Sequence, residues 1–71
     1  MKTNARNDEL LILQLKIIRE CKDISQAELG KITCTKQEVI SRLESLKNSP
    51  SLSTFCKLAN ALGYKVILEK E

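Results

Sequence analysis

The segment Ser25-Gln26-Ala27-Glu28 constrains the fold of this chain more than any other. A serine followed three residues later by a glutamate is a capping box. The Ser25 hydroxyl can accept from the backbone N–H of Glu28, and the Glu28 carboxylate can reach back to the N–H of Ser25. A helix is therefore predicted to start at about Gln26. It runs to about Ile32, where Thr33-Cys34-Thr35 makes a short connection without proline. Another helix is expected from about Lys36 to Leu46, with Val39, Ile40 and Leu43 as its apolar positions.

The flanking segments add two more helices and a tail. Asn7 can cap a helix that starts with Asp8 and Glu9, acids suited to the positive end of the helix dipole. Leu11, Leu15 and Ile18 recur at i, i+4 and i+7, so this first helix is expected to run to about Lys22 after a polar lead-in over Met1–Asn7. Leu10, Leu13, Ile17 and Cys21 form a second apolar stripe, roughly 120° from the first, which needs a cover of its own. Lys47-Asn48-Ser49-Pro50-Ser51 reads as a loop. Ser51 or Ser53 then caps a last helix with Phe55, Leu58, Ala59 and Leu62 on one stripe, and Gly63 suits its end. Tyr64 to Glu69 alternates with period two and reads as a strand, which leaves backbone groups unsatisfied unless something pairs with it.

Seventy-one residues make one domain (1–71, with its core over 8–63 and the tail over 64–69), near the lower size limit for an independent core. Chains of this length usually rely on disulfides, a metal or a partner chain. Three cysteines (Cys21, Cys34, Cys56) with no secretory signal before them read as reduced thiols of a cytoplasmic protein. With no histidine and no paired C-x-x-C, a metal site is not expected. Nor is a cofactor or an enzyme activity, because no phosphate-cradling glycine loop is present and the thiols have no matched base. The net charge of +3 is compatible with a polyanionic partner without demanding one. No apolar run approaches the roughly 18 residues of a membrane span.

Two short helices joined by three residues fit a helix-turn-helix, as they fit many small bundles. The residues themselves are more specific. Ser25-Gln26-Ala27-Glu28-Leu29-Gly30, followed by Gln37-Glu38-Val39-Ile40-Ser41-Arg42-Leu43-Glu44, resembles the Xre (Cro and phage-repressor-like) family. Leu15-Lys16-Ile17-Ile18-Arg19, Pro50-Ser51-Leu52 and Lys57-Leu58-Ala59-Asn60-Ala61-Leu62-Gly63 extend the resemblance over about 11–63. It implies an all-α, lambda-repressor-like domain of four or five elements, to which the short C-terminal strand would be added. It also implies an ion pair between Arg19 and Glu44 that ties the first helix to the third.

On this resemblance the third helix is the recognition helix, with Lys36, Gln37, Glu38, Ser41 and Arg42 facing outward. Gln37 suits adenine N6 and N7, and Arg42 suits guanine O6 and N7 or a phosphate. Glu38 either accepts from cytosine N4 or pairs with Arg42 four residues on. Gln26, at the start of its helix, can hold a phosphate, and Lys36, Ser41 and Lys47 suit the DNA backbone. The chain departs from the family pattern in three places. Cys34 stands where the turn usually has a glycine at positive φ, Asp23 replaces another frequent glycine, and Ile32 sits at a usually polar position.

The strand offers Tyr64, Val66, Ile67 and Leu68 for pairing with a second copy across a two-fold axis. A homodimer would set two recognition helices about 34 Å apart, matching a palindromic operator in double-stranded DNA. A short Xre-like domain ending in such a strand resembles the antitoxin of a toxin–antitoxin module, which binds a toxin and represses its own operon. A stand-alone phage or mobile-element regulator is the alternative, and an interaction module that binds no DNA is a third reading.

Overall fold

The helices of this chain start in different ways but end in the same way. The computed structural model describes residues 7–70, with α1 at Asn7–Cys21, α2 at Gln26–Thr33, α3 at Gln37–Glu44 and α4 at Leu52–Ala61. The lead-in over 1–6 and the side chain of Asn7 lie outside the described part; α1 begins at Asn7 itself. Ser25 caps α2 through a complete capping box: its hydroxyl accepts from Glu28 N (3.0 Å), and its own N–H donates to Glu28 Oε1 (2.8 Å). Ser51, and not Ser53, caps α4 by accepting from Thr54 N. Lys36 precedes α3 with no side-chain cap.

Each helix then closes in a Schellman motif, with one residue in the left-handed region. Those residues are Asp23 (φ 57°), Cys34 (φ 56°), Leu46 (φ 61°) and Gly63 (φ 91°). After α1, Asp23 N donates to Glu20 O and Ile24 N to Arg19 O. After α2, Cys34 N reaches Lys31 O and Thr35 N reaches Gly30 O. After α3, Leu46 N reaches Leu43 O and Lys47 N reaches Arg42 O. After α4, Gly63 N reaches Asn60 O and Tyr64 N reaches Ala59 O. Glycine adopts this conformation freely, whereas other residues lose about 1–2 kcal/mol to contact of Cβ with the next carbonyl. Asp23, Cys34 and Leu46 thus take a backbone geometry that glycine adopts at less cost, as the resemblance implies for Cys34.

The core joins Ile12 and Leu15 of α1 to Leu29 of α2, Ile40 and Leu43 of α3, and Phe55, Leu58, Ala59 and Leu62 around α4. Two expected faces are turned from where the apolar pattern places them. In α1 the buried side is Ile12, Leu15 and Arg19, while Ile18 is half-buried and Leu11 is exposed. In α3 the buried side is Ile40, Leu43 and Glu44, and Val39 is exposed. A charged residue completes each face, so counting apolar positions alone misaligns both. Leu10, Leu13, Ile17 and Cys21 point to solvent on the far side of α1. Ile32 is exposed, as expected of an apolar residue at a usually polar position.

Gly30 sits where α2 meets the turn, and a Cβ there would overlap the carbonyl oxygen of Thr35. The turn is held further by Thr33, whose hydroxyl donates to Leu29 O (2.7 Å) and lies 3.0 Å from that of Thr35. Residues 64–70 form neither helix nor strand. A strand exists only by hydrogen bonding to a second one, and no other described segment of this chain is a strand. No described helix is long and apolar enough to cross a membrane.

Cys34→Gly should stabilise the domain. Relief of about 1–2 kcal/mol of backbone strain outweighs the roughly 0.5–1 kcal/mol of extra chain entropy that glycine loses on folding. Cys34 is exposed, so little packing is lost with its side chain. A melting temperature by circular dichroism that fails to rise would contradict the strain at this turn.

Candidate nucleic-acid interface

The geometry of α3 depends on a buried ion pair. Arg19 and Glu44 are 7% and 4% exposed. Arg19 Nε donates to Glu44 Oε2 at 2.7 Å and Nη2 donates to Oε1 at 2.8 Å, a two-pronged contact. Arg19 Nη1 donates to the carbonyl of Ile24 at 2.6 Å, and Gln26 Nε2 donates to Glu44 Oε1 at 2.9 Å. The cluster therefore ties α1, the turn after it, the first residue of α2 and the last residue of α3. Burying charges is costly unless their hydrogen-bonding capacity is filled. Here it is filled: among the described residues, every buried side-chain nitrogen and oxygen has a partner.

The titration of Glu44 reflects these contacts. Burial opposes its ionisation, but hydrogen bonds from Arg19 and Gln26, with the charges of Arg19 and Lys16, outweigh it. The carboxyl is held below its ordinary value of 4.5. The hydrogen bond to Glu44 likewise raises Arg19 against the opposing effect of burial, so it stays charged. Exposed Glu28 is also lowered, by the hydrogen bonds from the backbone and hydroxyl of Ser25.

With Ile40, Leu43 and Glu44 turned inward, α3 presents Gln37, Glu38 and Arg42 to solvent, with Ser41 half-buried beside them. Lys36 and Lys47 are exposed at its two ends. Gln26 stands beside this face, with one amide hydrogen committed to Glu44 and a second left over. The face thus combines three cations with amide and hydroxyl groups that can donate to phosphates and base edges. No ion pair joins Glu38 to Arg42 among the described residues. In the amide orientation that satisfies both of its atoms, Asn48 accepts from Arg42 Nε at 3.2 Å and donates to Lys47 O at 2.9 Å.

Tyr64, Val66, Ile67 and Leu68 are all exposed. Tyr64, Val66 and Ile67 border a groove formed by α1 and α4, with Leu11, Ile18 and Phe55 beneath. Around α3 and its ion pair, sequence reasoning missed three groups. The Ile24 carbonyl carries no signal in its side chain, the Gln26–Glu44 bond spans 18 positions, and Asn48 reads only as a loop residue.

A family model described as helix-turn-helix matches residues 15–67. Among solved structures, this chain is similar to a HipB variant in complex with a 20mer named O2. The two are 27% identical with a TM-score of 0.83, over 99% of this chain and 97% of that one. No curated protein sequence matches.

Glu44→Gln should cost about 3–5 kcal/mol at neutral pH, because it strands the buried Arg19 charge. Because the folded-state pKa of Glu44 is depressed, its contribution is complete above about pH 4.5. It is lost as the pH falls below that value through the lower native one. Urea denaturation at a series of pH values should show a shallower acid limb for the variant than for the parent. Parallel limbs would mean that Glu44 does not couple folding to protons.

Proposed function

The chain belongs to the helix-turn-helix family, and we propose that it is a homodimeric repressor that binds specific sequences in double-stranded DNA. Within that reading it is an autoregulating antitoxin that also binds a cognate toxin. The observation that carries the proposal is the outward face of α3, where Gln37, Glu38, Ser41 and Arg42 stand clear of a core pinned by Arg19 and Glu44. Gln37 and Arg42 are the base readers, for adenine and guanine respectively. Glu38, unpaired with Arg42, is assigned to cytosine N4. Gln26, Lys36, Ser41 and Lys47 contact phosphates, which set the register and the salt dependence.

The homodimer is supported by the tail. Tyr64, Val66, Ile67 and Leu68 leave apolar surface and backbone groups uncovered, and a second copy of the same segment would satisfy both. Two α3 helices one DNA turn apart need about two turns of duplex, and the similar HipB chain is held with a 20mer. The toxin role rests on the resemblance to antitoxins and on the apolar outer stripe of α1, which lies away from both α3 and the tail. An interaction module without DNA binding would have no need of Gln37 and Arg42 on a face otherwise suited to DNA.

The direct test is selection of duplexes from a random pool, followed by gel-shift titration. A palindromic site with half-sites about 10 base pairs apart is expected. Gln37→Ala and Arg42→Ala should each weaken that site by about 1–3 kcal/mol and relax one position in it. Unchanged affinity in both variants would refute the reading head. Separately, removing 64–71 should give a monomer by light scattering, and a deletion that stays dimeric would exclude strand pairing.

A further inference from the structure

We propose that Asn48 is a positioning residue that sets the reading geometry of Arg42, an inference that rests on α3 as the reading helix. The Schellman closure of α3 makes the arrangement possible. Leu46 turns left-handed at φ 61°, and Lys47 N donates back to Arg42 O at 2.9 Å. The chain thereby folds back on the last turn of the helix and brings the Asn48 amide over the side chain of Arg42. In the amide orientation that satisfies both of its atoms, Asn48 is itself anchored: its nitrogen donates to Lys47 O at 2.9 Å while its oxygen accepts from Arg42 Nε at 3.2 Å.

The chemistry of guanidinium gives this contact a consequence. Of five N–H donors, the one on Nε is taken by Asn48, so four remain on Nη1 and Nη2. The side-on edge, which needs Nε and Nη2 together, is occupied. The end-on pair of Nη1 and Nη2 stays free and matches guanine O6 and N7 or two phosphate oxygens. Glu38, the other candidate partner on the same face, does not pair with Arg42 among the described residues. Asn48 therefore holds a long, exposed side chain in one orientation before DNA arrives, which lowers the ordering cost of binding.

The test compares Asn48→Ala in two backgrounds against the selected duplex. In the parent, the variant should bind about 3- to 10-fold more weakly and lose discrimination at the base pair read by Arg42. In Arg42→Lys, which has no Nε–H, the same change should have no effect. Equal losses in both backgrounds would mean that Asn48 touches DNA itself, which overturns the proposal. A second readout needs no DNA: the Arg42 Nε–H resonance of the free protein should shift and exchange faster in Asn48→Ala. An unmoved resonance overturns the proposal as well. If no duplex is bound while the resonance still depends on Asn48, the reading of α3 as a DNA-binding helix fails and the contact stands.

Discussion

Taking Arg19 and Glu44 out of water costs several kcal/mol for each ion, and their attraction recovers this only because every donor and acceptor is matched. The pair is therefore better understood as a device for geometry than as a source of stability. It joins residues 25 positions apart and recruits the Ile24 carbonyl and the Gln26 amide. Four parts of the chain meet at one carboxylate and one guanidinium, whose planar forks accept little variation in angle. An apolar contact of equal area would allow α1 and α3 to slide. This one does not, and what α3 shows to solvent follows from it.

The same pair explains where sequence reasoning succeeded and where it failed. Helix order and most helix boundaries were legible because they depend on near neighbours: Ser25 with Glu28 and Gly63 after Leu62, with the start of α4 narrowed to Ser51 or Ser53. The ion pair itself came through family resemblance, since nothing local marks Arg19 and Glu44 as partners. The inward face of α4 was legible as the stripe of Phe55, Leu58, Ala59 and Leu62, whereas those of α1 and α3 were legible only in part. In α1, Arg19 occupies the position that a count of apolar residues gives to Ile18, and in α3 Glu44 displaces Val39. Of the residues on and beside the outward face of α3, those on the helix surface could be named from the motif. Asn48 could not, because its place depends on a left-handed Leu46 that no propensity rule favours.

The two uncovered apolar surfaces differ in character. The tail borders a groove over Leu11, Ile18 and Phe55, so its own packing is half complete and a paired strand would finish it. Leu10, Leu13 and Ile17 instead form a convex stripe on the far side of α1 from Ile12 and Leu15. A strand pair cannot cover both, since they lie on different sides of the same helix. Under the proposed function, the groove belongs with the second copy and the convex stripe with a different protein.

The turn between α2 and α3 combines a glycine in the helix with a side-chain-bearing residue in the left-handed conformation. The glycine, Gly30, lies in α2, and the left-handed residue is Cys34. The two features meet at one place. Without a Cβ at Gly30, the carbonyl of Thr35 can approach α2 closely enough for Thr35 N to bond Gly30 O at 2.8 Å. That bond is the outer of the two that close α2 around Cys34, so the contact Gly30 permits also holds Cys34 in its strained conformation. Thr33, buried and bonded to Leu29 O, braces the same turn from inside. The strain at Cys34 is thus balanced within five residues of its origin, and α3 leaves the turn in the direction that the Arg19–Glu44 pair requires.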